Sequence, residues 1–200
     1  MRVILGSASP RRTEILDQAG IEHEVVASGC EETVTKTIPS EVVSELAEIK
    51  AEDVWSRVTH RENAALLPDE EILVLAADTI VAVDDVIYGK PADRQDAIRM
   101  LKNLSGRTHR VYTGVAVIAR DKKLSFVSGT DVSVYDLDDK EIEEYADSGE
   151  PMDKAGAYAI QGRFAKYIRE IKGEYNNVVG LPIARILYEL KKAGIQTEGN

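Results

Sequence analysis

The amino-acid sequence predicts an α/β fold in which a mixed, twisted sheet is flanked by helices. Helix-length amphipathic segments alternate with strand-length apolar segments along the 200 residues, which is typical of chains whose helices cover a sheet. Some neighbouring strands are separated by a short turn, as in antiparallel hairpins, and others by a helix, as in parallel pairs. A sheet that contains both kinds of connection is mixed.

The first predicted helix has clear signals at both ends. Ser9 is a typical N-cap and Pro10 a typical first helical residue, while Gly20 suits the left-handed position just past the last turn. The first half of the chain is thus predicted to contain a strand over 2–7, a helix over 10–19, a short strand over 22–28, a helix from about Ser40 to Arg57 with Pro39 just ahead of it, and a polar, turn-like loop over 60–71.

Turn and cap residues also divide the rest of the chain. A tight turn at Asp84-Asp85 within 72–91 predicts a buried strand followed by a returning one. Asp93 as N-cap and Gly106 as stop predict a helix within 92–106. The remaining predictions are two long strands within 108–137 joined at Asp121-Lys122, a short, acidic, solvated helix within 138–149, a glycine-rich loop over 148–162, a strand over 164–171, a loop over 172–182 and a final helix ending at about Ala193.

Composition limits the classes of partner. The chain is 44% hydrophobic, which is ample for a core, but no run of eighteen apolar residues predicts a membrane-spanning helix. Its opening residues do not fit a signal peptide. The formal net charge of −10 argues against stable binding to nucleic acid or to a membrane. Cys30 is the only cysteine, which excludes an internal disulfide and suits a reducing, cytoplasmic setting.

Arg11 and Arg12 lie in the first turn of the first predicted helix, where the positive end of the helix dipole disfavours cations. Backbone N–H groups and two guanidinium groups at that position suit an oxyanion, most naturally a phosphate. The alternative is that both arginines pair with surface carboxylates. Because the protein as a whole is acidic, any anion that it binds must bind at a local basic site.

Asp78 is the only charged residue in the apolar run from Ile72 to Val83, so it requires a cation, a metal ion or hydrogen bonds. Thr79 beside it carries a hydroxyl. Bonding of Asp78 to backbone amides is the purely structural alternative. Lys50 interrupts the apolar stripe of its helix, and the default expectation is that its ammonium reaches water. Lys90 follows the hairpin and is placed to return toward Asp78.

Three glycines and a proline indicate that the loop over 148–162 has a defined shape. Gln161 within it can both donate and accept hydrogen bonds, which suits the edge of a nucleobase. A purely structural connection is the alternative for this loop. Glu31 and Glu32 offer carboxylates for a divalent ion, or they are ordinary solvated acids.

Seven motifs resemble, in order and spacing, those of the Maf family of nucleoside triphosphate pyrophosphatases. They are SASPRR, ELAEIKA, AADTIV, GKP, LSGRTHRVYTGV, GEPMDKAGAYAIQG and NNVVGLP. The resemblance extends from about Leu5 to Leu187. It implies one Maf-like domain over 1–200 with an elongated, two-lobed fold like that of inosine triphosphate pyrophosphatase and a central cleft. It also implies a divalent cation (Mg²⁺ or Mn²⁺), a cytoplasmic location and a homodimer.

The resemblance further implies hydrolysis of the bond between the α and β phosphates, which releases a nucleoside monophosphate and pyrophosphate. Carried over by motif, Asp78 is the proton acceptor, with Lys50, Lys90 and Arg12 as its catalytic partners. Asp78 and Glu32 are the implied metal ligands. The implied substrate-binding residues are Ser7, Arg11, Arg12, Thr79 and Gln161, and the implied base-selecting residues are Arg11, Thr79 and Gln161.

The DKAGAYAIQG loop resembles the branch that acts on dTTP and UTP, with modified pyrimidine nucleotides as further candidates. The branch that acts on 7-methyl-GTP tends to have a glutamate where Gln161 stands and lacks the Asp-Lys pair before Ala-Gly. Phe164 departs from the glycine that many relatives have after IQGR. Two alternatives stay open, a 7-methyl-GTP pyrophosphatase and a nucleotide-binding regulator of cell division and septum formation.

Overall fold

The structure of the protein is a computed structural model that describes residues 1–59 and 71–195. The strands in these ranges are β1 (Arg2–Leu5), β2 (His23–Val25), β3 (Ile72–Val83), β4 (Val86–Tyr88), β5 (Thr108–Ala119), β6 (Lys122–Val134) and β7 (Ile168–Lys172). The α-helices are α1 (Pro10–Gln18), α2 (Pro39–Thr59), α3 (Arg94–Leu104), α4 (Asp139–Asp147), α5 (Tyr175–Val179) and α6 (Ile183–Lys192). Short 3₁₀ helices span Glu150–Asp153, Ala155–Ala157 and Arg163–Tyr167.

The sheet is mixed, as predicted. Its strands follow the order β2-β1-β3-β5-β6-β7, and β4 pairs with β3. β1 is parallel to both β2 and β3, whereas the β3–β4 and β6–β7 pairs are antiparallel. Among the described helices, none combines the length and the apolarity that crossing a lipid bilayer requires.

The chain divides into two compact units. The first contains the described residues of Met1–Asp78, Thr113–Ser128 and Gly180–Asn200, and the second contains Thr79–Tyr112 and Gly129–Val179.

In the first unit, the apolar face of α2 packs against the sheet. Ala47, Ala51 and Val54 of this helix form one buried cluster with residues of β1, β3 and β5. The helix backbone approaches β5 so closely at Gly114 that a Cβ atom there would lie 2.1 Å from the carbonyl oxygen of Val43. Only glycine fits such a contact, and this close packing fixes the helix on the sheet.

The first helix begins and ends at the predicted signals. Pro10 is its first residue and Ser9 its N-cap. Gly20 has a φ of 71° and donates its N–H to the carbonyl of Asp17, while Ile21 donates to Leu16. This pair of bonds is a Schellman motif, which satisfies the last carbonyls of the helix.

In the second unit, the core surrounds Phe164, whose side chain is fully buried. The ring centroids of Tyr145 and Tyr158 lie 5.0 Å from that of Phe164, and the centroid of Tyr167 lies 5.4 Å from it. Offset and edge-on aromatic pairs at such distances stabilise a core beyond their buried area. Phe164, where the family resemblance leads us to expect glycine, therefore supplies the centre of this core.

The predicted turn and helix cap of the second unit are also present. Asp84 and Asp85 have φ values of 48° and 63°, as a type I′ hairpin requires at both positions. The side chain of Asp93 accepts a hydrogen bond of 2.8 Å from the backbone N–H of Asp96, which caps α3. Gly106 follows the end of this helix with a φ of 69°.

Some predicted elements differ from those in the structure. The short strand predicted over 22–28 spans only His23–Val25. The hairpin turn predicted at Asp121-Lys122 lies one residue earlier, at 120–121. The loops over 148–162 and 172–182 contain short helices. The predicted loop over 60–71 lies outside the described residues, except for Glu71.

The strand predicted over 164–171 is wrong in its first half, which is a 3₁₀ helix. Phe164 and Tyr167 are both buried, and residues three apart lie on the same side of a 3₁₀ helix. In a strand, residues three apart point to opposite faces. The need to bury both rings on one side therefore decides the local conformation.

Candidate active site

The site begins where β1 ends and α1 starts. The backbone N–H of Gly6 donates to the carbonyl of Leu75 at 2.7 Å, which continues the parallel pairing of β1 with β3. Ser7 follows Gly6, and Asp78 lies three residues beyond Leu75. β1 ends before Ser7, whereas β3 continues past Asp78 to Val83, so Asp78 lies within its strand just past the end of the pairing with β1. The carboxyl end of a parallel strand such as β1 is where α/β proteins commonly bind their ligands.

The N-terminus of α1 carries positive charge and has no acidic side chain in its first turn. Ser9 occupies the N-cap position, but its side chain makes no capping hydrogen bond. A helix start usually has a capping oxygen or an acid at this point. Arg11 and Arg12 stand there instead, with Arg11 half-buried and Arg12 buried.

Arg12 is held in place by two neutral oxygen atoms. Its Nε donates to the carbonyl oxygen of Gly180 at 2.8 Å, and its Nη1 donates to Oγ of Ser7 at 2.8 Å. The side chain is buried, with 9% of the residue exposed, so its guanidinium group does not lie on the open surface. Burial lowers the pKa of Arg12, and the charges of Asp78 and Glu32 raise it in part.

Asp78, Lys50 and Glu32 form a second cluster in the first unit. Nζ of Lys50 lies 2.5 Å from Oδ1 of Asp78 and 3.1 Å from Oε1 of Glu32. The side chains of Lys50 and Asp78 are only 14% and 16% exposed, whereas that of Glu32 is 51% exposed. The default expectation that Lys50 extends into water is therefore wrong, and the buried acid has an ammonium partner.

Packing explains why the lysine reaches the acid. Val43, Leu46 and Val54 of α2 are buried, and Lys50 shares their face at helical spacing. That face packs against the sheet that contains β3, so a long side chain on it extends toward the strand that carries Asp78. An ammonium beside a largely buried carboxylate offsets part of the free-energy cost of removing that carboxylate from water.

A model of the family described as Maf-like protein matches residues 2–193. The chain belongs to the Maf family.

Several similar proteins carry the name dTTP/UTP pyrophosphatase. The one from Agathobacter rectalis is 51% identical over 201 residues, which cover 97% of this Maf chain and 98% of that protein. Those from Bacillus anthracis and Lachnoclostridium phytofermentans are 45% and 44% identical, and each alignment covers 97% of this chain and 96% of the relative. A solved HAM1 protein from Coxiella burnetii covers 96% of this chain and 99% of its own at 14% identity, with a TM-score of 0.48.

The carboxylates of this Maf chain suit a metal ion that takes part of its coordination from elsewhere. Within the described residues, there is no group of three or more histidine, cysteine, aspartate or glutamate side chains that would hold a metal ion. Asp78 and Glu32 nevertheless converge on one cation, the ammonium of Lys50. Mg²⁺ is commonly bound by one or two carboxylates together with substrate phosphates and water, and this donor set fits that pattern.

Thr79, Lys90 and Gln161 belong to the second unit, so the structure places the predicted site residues in two groups. Thr79 follows Asp78 in β3 and is half-buried, whereas Lys90 and Gln161 are exposed. The loop that carries Gln161 is ordered by Glu150. Oε1 of Glu150 accepts a hydrogen bond of 2.7 Å from the hydroxyl of Tyr145 and another of 3.0 Å from the backbone N–H of Arg163.

Two residues that hold other site residues in place, Gly180 and Glu150, are not indicated by the sequence. The carbonyl of Gly180, which accepts from Arg12, leaves no trace in residue type beyond the Gly-Leu-Pro ending of a predicted loop. Glu150 is one of several polar residues in its loop, yet a Cβ atom at Gly162 would lie 2.4 Å from its Oε1. The glycine at 162 is the signal that indicates such a close approach.

Proposed function

We propose that this Maf protein is a nucleoside triphosphate pyrophosphatase that hydrolyses dTTP and UTP to the nucleoside monophosphate and pyrophosphate. Near-full-length relatives at 44–51% identity carry this activity as their name. The observation that carries the proposal is the contact of Asp78 with Lys50, because it pairs a nearly buried carboxylate with an ammonium group. Asp78 lies on the strand next to β1, and the arginines of α1 follow the end of β1.

In the proposed reaction, water attacks the α phosphorus and Asp78 accepts a proton from that water. The new oxygen–phosphorus bond forms as the bond from the α phosphorus to the α–β bridging oxygen breaks, and pyrophosphate leaves with that oxygen. Lys50 donates a hydrogen bond to Oδ1 of Asp78 and so orients its carboxylate. Arg12, which Ser7 and Gly180 hold at fixed orientation, offsets the charge that develops on the phosphates.

Asp78 and Glu32 are the residues that would hold Mg²⁺ or Mn²⁺ in this proposal. The bound metal would neutralise phosphate charge and orient the phosphate chain. In the structure the ammonium of Lys50 contacts both carboxylates, which relieves the repulsion between them. Chelation of the metal is expected to stop pyrophosphate release.

Base selection is assigned by the family resemblance to Arg11, Thr79 and Gln161, and phosphate binding in part to Lys90. The Asp153-Lys154 pair, which the 7-methyl-GTP branch tends to lack, supports the pyrimidine assignment, and the two side chains form an ion pair. Gln161→Glu is expected to lower kcat/KM for dTTP and UTP relative to 7-methyl-GTP. Unchanged ratios among the three nucleotides would remove Gln161 from the selecting residues.

The test of the proposed function is pyrophosphate release from dTTP, UTP, CTP and 7-methyl-GTP with Mg²⁺, with Mn²⁺ and with chelator. Release from dTTP and UTP should exceed that from the other nucleotides and should require metal. Asp78→Asn should lower kcat by at least about 10²-fold, given the usual effect of removing a catalytic group. Asp85→Asn, an equal change of charge in an exposed turn, is the matched control and should retain full activity.

We also place the protein in the cytoplasm as a homodimer. The single cysteine, Cys30, is unpaired with any other cysteine, as suits a reducing compartment. Light scattering of the purified protein tests the assembly, and a monomer at every concentration would contradict it.

A further inference from the structure

Glu32 lies on a segment that has no secondary structure to hold it. Residues 26–38 connect β2 to α2 and contain neither helix nor strand. The ion pair of Glu32 with Lys50 spans 3.1 Å, but the glutamate side chain is half exposed. Ion pairs with an exposed partner contribute little stability, so this contact alone does not fix the glutamate.

The amino-terminal part of the segment is tied to α2 by Asp53 and Arg57. Oδ2 of Asp53 accepts a hydrogen bond of 3.0 Å from the backbone N–H of Gly29. Nη1 of Arg57 donates to the carbonyl of Ala27 at 2.8 Å and to Oδ2 of Asp53 at 3.3 Å. These two side chains of one helix therefore bind both kinds of backbone group on the segment.

The carboxyl-terminal part is tied to the same helix by Glu45. Its Oε1 accepts from the hydroxyl of Thr35 at 2.6 Å, and its Oε2 accepts from the backbone N–H groups of Thr35 at 2.8 Å and Lys36 at 3.2 Å. The hydroxyl bond and the amide bonds lower the pKa of Glu45. Hydrogen bonds to an ionised acceptor are roughly twice as strong as those between neutral groups.

The two sets of hydrogen bonds, to Glu45 and to Asp53, attach the segment to α2 on either side of Lys50. Glu45 and Asp53 lie about 12 Å apart along the axis of α2, and Lys50 lies between them on the helix. The segment from Gly29 to Thr35 has a reach of about 20 Å when extended. Because the reach exceeds the span, the segment can bend over α2 while both of its ends stay bound to the helix. Loss of either tie would let its middle residue, Glu32, sample more positions.

We propose that Glu45 and Asp53 are positioning residues that hold Glu32 beside Lys50 and thereby set the affinity of the site for its divalent cation. The proposal rests on the proposed function for the role of Glu32. Neither acid touches Lys50 or Asp78 in the contacts described above, and each acts through the segment that it ties. Loss of a residue that orients a metal ligand typically lowers metal affinity by about 10–100-fold.

The principal variant is Glu45→Ala, and its matched control is Glu48→Ala. Glu48 lies on the same helix and accepts a hydrogen bond of 3.1 Å from Ser44 within that helix, so its loss leaves both ties intact. Alanine favours helix at both positions. Hydrogen exchange measured by NMR should be at least about tenfold faster at the amides of Thr35 and Lys36 in Glu45→Ala than in the control, since those amides lose their acceptor.

Metal binding is measured in two ways. Mn²⁺ affinity, followed by electron paramagnetic resonance without nucleotide, should fall about tenfold or more in Glu45→Ala. The Mg²⁺ concentration that gives half-maximal pyrophosphate release should rise by a similar factor, with kcat at saturating Mg²⁺ within about twofold of the wild-type value. Asp53→Asn provides a second variant that weakens the other tie, and its effect should have the same direction.

A double-mutant cycle tests whether Glu45 acts through Glu32. In a Glu32→Gln background, the Glu45→Ala change should have no further effect on Mn²⁺ affinity. Wild-type Mn²⁺ affinity in both Glu45→Ala and Asp53→Asn, or an equal loss with and without Glu32, would overturn the proposal. If the wild-type protein hydrolyses no nucleotide, the proposed function fails, whereas Mn²⁺ affinity and amide exchange still decide the positioning role.

Discussion

His109 of β5 is a titratable side chain in the core of the second unit. Only 3% of the residue is exposed, and its Nε2 lies 2.7 Å from the hydroxyl of Tyr158. Its Nδ1 has no hydrogen-bond partner among the described residues. Burial lowers the pKa of His109 to about 4. The folded protein therefore contains a neutral imidazole, and acid must either charge it inside the core or unfold the unit.

The magnitude follows from the two protonation equilibria. The unfolded chain binds this proton with the ordinary pKa of about 6.5, and the folded chain binds it only near pH 4. Between these values the unfolded state holds more protons, so the free energy of unfolding falls as the pH falls. His109 alone should lower it by about 2 kcal/mol between about pH 8 and pH 5, and by about 3 kcal/mol below pH 4.

The assay is urea denaturation followed by circular dichroism at pH 8 and at pH 5, on the wild type and on His109→Gln. The glutamine does not titrate and retains a polar group for Tyr158, so the variant should lose about 2 kcal/mol less than the wild type between the two pH values. Equal acid sensitivity of the wild type and His109→Gln would refute the reasoning.

Three further substitutions test the packing and the site. Phe164→Ala removes the fully buried ring at the centre of the second unit. Urea denaturation should show that the free energy of unfolding falls by about 3–5 kcal/mol. A loss below about 1 kcal/mol would contradict the packing described. Asp93→Ala removes the cap of α3 and should lower the melting temperature in line with a loss of about 1 kcal/mol. Arg12→Lys keeps the positive charge, but an ammonium group cannot bridge Ser7 and Gly180 as the guanidinium does. The KM for dTTP should therefore rise by about tenfold or more. An unchanged KM would show that the charge alone suffices.

The most informative predictions from the sequence concern charged residues that interrupt an apolar pattern. Asp78 is the only charge in an apolar strand, and Lys50 interrupts an apolar helical stripe. Each break indicated a residue that needs a partner. The sequence does not indicate that Lys50 and Asp78 contact each other. They lie 28 positions apart, and their contact depends on how α2 packs against the sheet.

Local signals located most helix ends and turns, since these depend on neighbouring residues. Gly20, Asp93 and the Asp84-Asp85 turn have the conformations that their residue types favour. The 3₁₀ helix at Arg163–Tyr167 was missed because it results from tertiary packing of two aromatic rings.

The residues that tie the segment of Glu32 to α2 gave no signal in the sequence. Glu45 and Asp53 are two of the chain's 35 acidic residues, and in so acidic a protein a carboxylate on a helix suggests only a solvated face. What distinguishes them is the set of backbone N–H groups that each one accepts from. Those groups lie on a segment without secondary structure, where residue type does not indicate hydrogen-bond partners.

The measurement that tests the central claim most directly is hydrolysis of dTTP in H₂¹⁸O, with the products analysed by mass spectrometry. Attack of water on the α phosphorus, with Asp78 as proton acceptor, predicts one ¹⁸O atom in the nucleoside monophosphate and none in the pyrophosphate. The same label should accumulate at least about 10²-fold more slowly with Asp78→Asn. Label in the pyrophosphate, or an Asp78→Asn variant as fast as the wild type, would contradict the account.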